Sequence, residues 1–262
     1  MRDLIDLDRY PLDRPESGDW QALVDTCRAD LAAEGMYNLA GFLRPVAVEA
    51  AVAELAPKLE NESFRHARRH NIYFQPEIEG LPPDHPALGE METVNHTVCA
   101  DQIPGSVVMR LYEWPQFARF IAATMKIERL YTMPDPLACV NAMAYHEGEA
   151  LNWHFDRSVF TTTLLLQAPE EGGAFEYRSD LRSEGDPNYD GVARLLEGRD
   201  DQVKRLRLSP GTLNVFRGRN TAHRVTPVRG ARARIITVFC FYDREGVRFT
   251  PEEQLGFYGR TG

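Results

Sequence analysis

His154, Phe155 and Asp156 lie in LNWHFDRSVFTTTLLL, where an imidazole and a carboxylate two residues apart precede a run of β-branched and apolar residues. On a strand, residues i and i+2 point to the same face, so His154 and Asp156 would project together while Phe155 turns into the opposite layer. With 7 histidines and 39 acidic residues in 262 positions, about one His-x-acid pair arises by chance, so the tripeptide needs a partner before it means anything. The candidate is His223, in PGTLNVFRGRNTAHRVTPV. Two imidazoles and one carboxylate on one face, with the remaining positions open, form the facial triad that suits non-haem Fe(II) and oxygen chemistry. Zinc with the same donors is the inorganic competitor.

Three amphipathic helices and a set of short strands are available to position these residues. DWQALVDTCRADLAAEG has Asp19 as its expected N-cap and Gly35 as its stop. PVAVEAAVAELAPKLEN and PQFARFIAATMK open at Pro45 and Pro115, and both carry apolar stripes at helical spacing. From about residue 137 the character changes. ACVNAMAY, VFTTTLLLQ, GAFEYR, GTLNVFRG and RIITVFCFYD are short, rich in β-branched and aromatic residues, and punctuated by Gly and Pro. Strands without crossover helices between them predict an antiparallel sandwich or barrel. The polar insertion 179–202, with a short helix around VARLLEG, is expected to form a lid. The economical division is a single domain, 1–262, with a mostly helical layer over 1–136 and a β core over 137–245.

Composition narrows the function classes. Hydrophobic content of 43% and aromatic content of 10% are those of an ordinary globular protein. No run approaches the ~20 apolar residues of a membrane span, and MRDLIDLDRY is too charged for a secretory leader. Four well-separated cysteines read as free thiols in reducing cytoplasm. A net charge of −9 argues against a nucleic-acid partner. The expected partner is a small molecule, with no membrane and no nucleic acid involved; the sequence carries no signal for oligomeric state.

The order NAMAYHEGEALNWHFD, TTTLLLQAPEEGGAFEY, LSPGTLNVFRGRNTAHRVTPVRGARARIITVF resembles the Fe(II)/2-oxoglutarate-dependent oxygenases of the prolyl-hydroxylase-like type. RYPL, HNIYF, NYDGV and FYGRTG are similar to segments of a bacterial branch containing radical halogenases and hydroxylases of free amino acids, notably lysine. The resemblance implies an α+β, mainly β fold: a double-stranded β-helix (jelly-roll, cupin-like) core with an N-terminal helical layer. It implies Fe(II) bound by His154, Asp156 and His223, with 2-oxoglutarate and O2 as cosubstrates.

The far carboxylate of 2-oxoglutarate needs a cation, and a guanidinium pairs with it through two parallel hydrogen bonds. Such enzymes usually carry it roughly ten residues beyond the distal histidine. RGARARIITV offers Arg232 and Arg234 on a shared face, and Arg234, with ten residues between it and His223, is favoured. Tyr145 and Thr163, on strands expected to face the pocket, are candidate hydrogen-bonding partners of the cosubstrate.

Halogenases of this type carry Gly or Ala where this chain has Asp156, so the resemblance implies hydroxylation of an unactivated C–H bond, with 2-oxoglutarate converted to succinate and CO2. No catalytic side chain beyond the metal ligands is required. The expected substrate is a small free molecule, foremost an amino acid. The alternatives are another small metabolite (a nucleoside, nucleotide or amine) or a noncatalytic metal-binding jelly-roll module. Arg157, beside the metal motif, is expected at the pocket mouth, favouring a polar or anionic substrate group over an amine. His66, Arg69 and His70 in FRHARRHNIY, with Asn141, are further substrate candidates; for the basic cluster a solvated helix end is the competing explanation.

Overall fold

Two facing antiparallel sheets make up the core of the computed structural model, which describes residues 1–262. The larger has seven strands, in the order Met36–Leu39, Leu213–Phe216, Thr161–Gln167, Arg234–Phe239, Val140–Tyr145, Met91–Cys99, Phe64–His70. The smaller has four: Lys204–Leu206, Phe175–Arg178, Ala222–Val225, Leu151–His154. All five segments expected to be strands are strands, and the architecture is the jelly roll that the resemblance implied.

The larger sheet has one apolar face and one mixed face, as its period-2 sequence requires. Val140, Ala142, Ala144, Leu164, Leu166, Ile235 and Phe239 are buried in the main core, together with apolar residues of the helices Gly18–Glu34, Pro45–Asn61 and Pro115–Thr124. Phe117, for example, meets Phe239 edge to face at 5.4 Å. Each fully buried side chain of this size contributes roughly 1.5–3 kcal/mol. The alternate positions Asn141, Met143, Tyr145, Thr161, Thr163 and Arg234 are left to the other face, toward the smaller sheet. The first helix is capped by Ser17, whose hydroxyl accepts from Trp20 N at 3.2 Å; Asp19, the expected cap, sits in the first turn instead. Gly35 ends that helix in the left-handed region, at φ 76°.

The N-terminal layer is less helical than expected. Met36–Leu39, Phe64–His70 and Met91–Cys99 extend the larger sheet at both sides. FRHARRH, whose basic cluster fitted a solvated helix end, is the sheet's edge strand, paired from Phe64 opposite Thr97 to His70 opposite Met91. Charged side chains protect an exposed strand edge from further pairing, and in composition this looks the same as a helix surface.

The 179–202 insertion does contain a helix, Tyr189–Leu196, capped by Asn188. Leu181, Val192 and Leu195 are buried with Ile72, Trp153 and Phe155, and Arg182 lies 4.0 Å over the Phe155 ring. Trp153 and Phe155 alternate with His154 and Asp156, so the insertion buttresses the back of the 151–154 strand. No helix is long and apolar enough to cross a membrane.

Leu195→Ala is expected to cost about 2–5 kcal/mol by opening this rear cluster. Leu255→Ala, at a residue 53% exposed, should stay within about 0.5 kcal/mol. Chemical denaturation of the two variants checks the contrast.

Candidate metal centre

Strands 151–154 and 222–225 pair antiparallel with His154 directly opposite His223, and the two imidazole rings stand 4.1 Å apart. Each Nδ1 meets a backbone carbonyl: His154 that of Asn152 at 2.8 Å, and His223 that of Thr221 at 2.9 Å. A carbonyl only accepts, so each Nδ1 carries the proton and each Nε2 presents its lone pair. Those lone pairs converge on Asp156 Oδ1, at 3.3 Å from His154 and 3.4 Å from His223.

Asp156 lies two residues past the end of its strand, so strand pairing does not hold it. Its N–H donates to the Gly218 carbonyl at 3.1 Å, and Oδ2 accepts from the Thr161 hydroxyl. Gly218 is a packing requirement: a Cβ there would come within 2.2 Å of Oδ2. Burial opposes ionisation of Asp156, but the adjoining His223 and His154 outweigh it and hold the carboxyl well below its usual range. Burial and the neighbouring His223 push His154 down, whereas at His223 the Asp156 carboxylate outweighs burial and raises the pKa. Two imidazole nitrogens and one carboxylate oxygen lie within 4.8 Å of one another, a donor set that fits a divalent iron with its other positions free.

Arg234 opens its strand opposite Tyr145 and is only 3% exposed. It has no acidic partner, and its Nη1 is buried without a hydrogen bond. Burial lowers its pKa, yet a guanidinium stays charged in proteins, so an unpaired cation faces the interior. It borders a cavity of about 100 Å³ together with Leu165, Gly173 and Phe175. A Cβ on Gly173 would stand 3.2 Å from Arg234 Cδ, so the glycine leaves the guanidinium its room. Tyr145 is buried, with its ring 5.8 Å from the Arg234 guanidinium carbon, and Thr163 is buried on the same face between Asn214 and Val238. Arg232 is different. It precedes the strand, is exposed, and reaches only the Pro169 carbonyl at 3.4 Å. The two arginines do not share a face because the strand begins only at Arg234.

The substrate candidates separate in space. Arg157 does not enter the pocket: both terminal nitrogens reach Glu253 Oε1 at 2.9 Å, and its guanidinium lies over Phe249 and Phe257. The chain turns after Asp156, so the strand that would have carried Arg157 inward does not continue. Asn141 is committed to structure, donating to the Leu137 and Val140 carbonyls and accepting from Tyr258. Arg69 is exposed and pairs with Glu90, and His66 stacks on Phe257. His70 is buried and engaged at both nitrogens, by Asn71 O and Thr93 Oγ1. Its ring stacks 4.4 Å from Phe74, which in turn stands edge-on to His154 at 6.2 Å.

Residues not anticipated from the sequence include Thr161, Gly218, Phe74 and Arg182. Thr161 opens a run of three threonines that strand propensity alone explains. Gly218, in the FRGRN turn, was the legible one, since a glycine five residues before a ligand histidine invites the question of what approaches it.

A family model described as Halogenase D matches residues 20–251. The chain belongs to the Halogenase D family. No curated protein sequence matches this family member, but solved structures share its fold. A 2OG-Fe(II) oxygenase family oxidoreductase from Burkholderia pseudomallei is 15% identical, with TM-score 0.52 over 88% of this chain and 94% of that one. A Pseudomonas putida prolyl-4-hydroxylase is 18% identical, with TM-score 0.52 over 84% and 99%. The non-heme alpha ketoglutarate dependent carbocyclase SnoK of nogalamycin biosynthesis is 15% identical, with TM-score 0.56 over 90% and 92%.

Loss of a group that orients a metal ligand typically weakens metal affinity about 10–100-fold. Thr161→Val is expected to weaken Fe(II) binding in that range, and Gly218→Ala to weaken it further by displacing Asp156. Anaerobic Fe(II) titration measures both.

Proposed function

We propose that this Halogenase D family member is an Fe(II)- and 2-oxoglutarate-dependent hydroxylase, acting at an unactivated C–H bond of a small free substrate, foremost an amino acid. The observation that carries this reading is the Asp156 carboxylate, 3.3 and 3.4 Å from the two imidazoles. The family's name points to halogenation, which needs an open metal position for halide where Asp156 stands. When bound, iron with 2-oxoglutarate and O2 supplies the oxidising power for C–H cleavage, and succinate and CO2 are released.

The chain's own residues grip, neutralise and orient. His154, Asp156 and His223 present two neutral donors and one anion to a divalent ion. Arg234, buried and without an ion-pair partner, receives the far carboxylate of the cosubstrate, and Tyr145 walls that end. Phe74, braced on His70, screens one side of the metal from water.

The rim supports an acid-bearing substrate. Arg68 lies 4.9 Å over Phe74. Arg219 donates to the carbonyl of Arg157, one residue past Asp156. Neither arginine has an acidic ion-pair partner within the chain, and guanidinium groups so placed suit the carboxylate of an amino acid. The same rim would accept an anionic nucleotide, which makes that the second reading. Arg157, already neutralised by Glu253, drops out as a reader of substrate charge.

Succinate release stimulated by a panel of free amino acids and nucleotides, in chloride buffer and read by mass spectrometry, tests the proposal. The expected product gains one oxygen and no chlorine; a chlorinated product would overturn the assignment. Breaking a buried ion pair costs about 3–5 kcal/mol, so Arg234→Gln should raise the 2-oxoglutarate requirement by at least ~100-fold. Arg232→Gln should leave it nearly unchanged.

A further inference from the structure

A second cluster of metal-ligating side chains lies on the other side of the larger sheet. His96 stands opposite Ala144, on the helix-facing side, whereas the iron triad lies on the side facing the smaller sheet. The turn after Tyr145 brings His146 and Glu149 alongside it. The His96 and His146 rings meet edge to face with centroids 4.7 Å apart, and one donor atom from each of His96, His146 and Glu149 falls within 4.8 Å of the others.

Three observations suit a cation at this place. Glu149 is largely enclosed, its side chain 15% exposed, and no lysine or arginine pairs with it; its sole ion-pair contact is His96 Nε2 at 3.1 Å. Behind His96, Ser63 Oγ donates to the Leu59 carbonyl at 2.6 Å and stands 3.5 Å from Nδ1; in front, Nε2 is hydrogen-bonded to Glu149 Oε1 at 3.1 Å, and a divalent ion would take the place of the proton they share. Finally, the spacing is that of co-ligands. Donors about 2.0–2.2 Å from a tetrahedral zinc stand roughly 3.3 Å apart, and the iron triad shows 3.3 and 3.4 Å for the same kind of pair.

The turn is also built to stay in place without an ion. Glu149 Oε2 accepts from His146 N at 2.8 Å. Gly148 N donates to Val228 O at 2.9 Å, and Val228 N to Glu149 O at 3.0 Å. Only the exposed His146 side chain has to swing to complete the set.

We propose that His96, His146 and Glu149 form a second metal site, for a divalent transition ion of the zinc class, with water in the fourth position. Two imidazoles and a carboxylate are borderline-soft donors that select such ions over magnesium or calcium. The ion is structural. It ties the 91–99 strand to the turn that leads from Tyr145, beside Arg234, into the strand carrying His154. This site is independent of the reading of the iron site, and neither stands or falls with the other.

Equilibrium dialysis of metal-free protein against stoichiometric Zn2+, with metal counted by mass spectrometry, tests it. The wild type is expected to hold two equivalents per chain, one in each site. His146→Ala should hold one, as should His154→Ala, and the double variant none. His146 is exposed, so His146→Ala leaves the fold intact, and circular dichroism verifies this. Zn2+ should also raise the Tm of His154→Ala but not that of the double variant. Zn2+ content or Tm response unchanged between wild type and His146→Ala, or between His154→Ala and the double variant, would overturn the proposal.

Discussion

An ionised carboxylate held between two imidazoles is the constraint on which the site depends. The antiparallel register puts His154 across from His223, two backbone carbonyls choose the tautomers, and the carboxylate closes the set. Asp156 does more than coordinate. Its backbone binds Gly218 beside the smaller sheet, while Oδ2 takes a proton donor from Thr161 on the larger. One side chain therefore fixes the separation of the two sheets at the place where a metal would sit. The helices packed behind the larger sheet give Thr161 a rigid base, and the 179–202 insertion does the same for the 151–154 strand from behind.

The readable part of this arrangement was whatever depends on alternation and order. The five core strands follow from β-branched runs between Gly and Pro, and the triad follows from a His-x-Asp and a distant histidine lying on such strands. What was not readable depends on where the chain turns. Arg157 is adjacent to a ligand in sequence, yet a turn one residue earlier sends it to Glu253. Arg232 and Arg234 differ by two positions, but the strand starts between them. FRHARRH and the insertion misled for opposite reasons. The first is an edge strand whose charges imitate a helix surface, and the second hides three buried apolar residues in a polar stretch.

Membership of the Halogenase D family and the presence of Asp156 place this chain at a chemical branch point. On the proposed function, the carboxylate decides what can reach the metal. The surroundings are matched to that choice. Thr161 offers its proton to the carboxylate, and Gly218 has surrendered its side chain to make room for it. Replacing the aspartate alone would leave a hydroxyl without its acceptor and a gap against a glycine, so three positions move together.

Arg234 carries a consequence beyond binding. A buried guanidinium with one nitrogen left without a protein partner costs the fold stability. Total stabilities are only about 5–15 kcal/mol. On the proposed function, a 2-oxo diacid seated there would remove that cost, and a ligand that binds only the native state draws the chain away from opening. Opening is the step that exposes a protein to cellular proteases, so abundance responds to costs of this kind. Supply of a central metabolite would then govern how long each molecule survives in the cell, and not merely how fast it turns over.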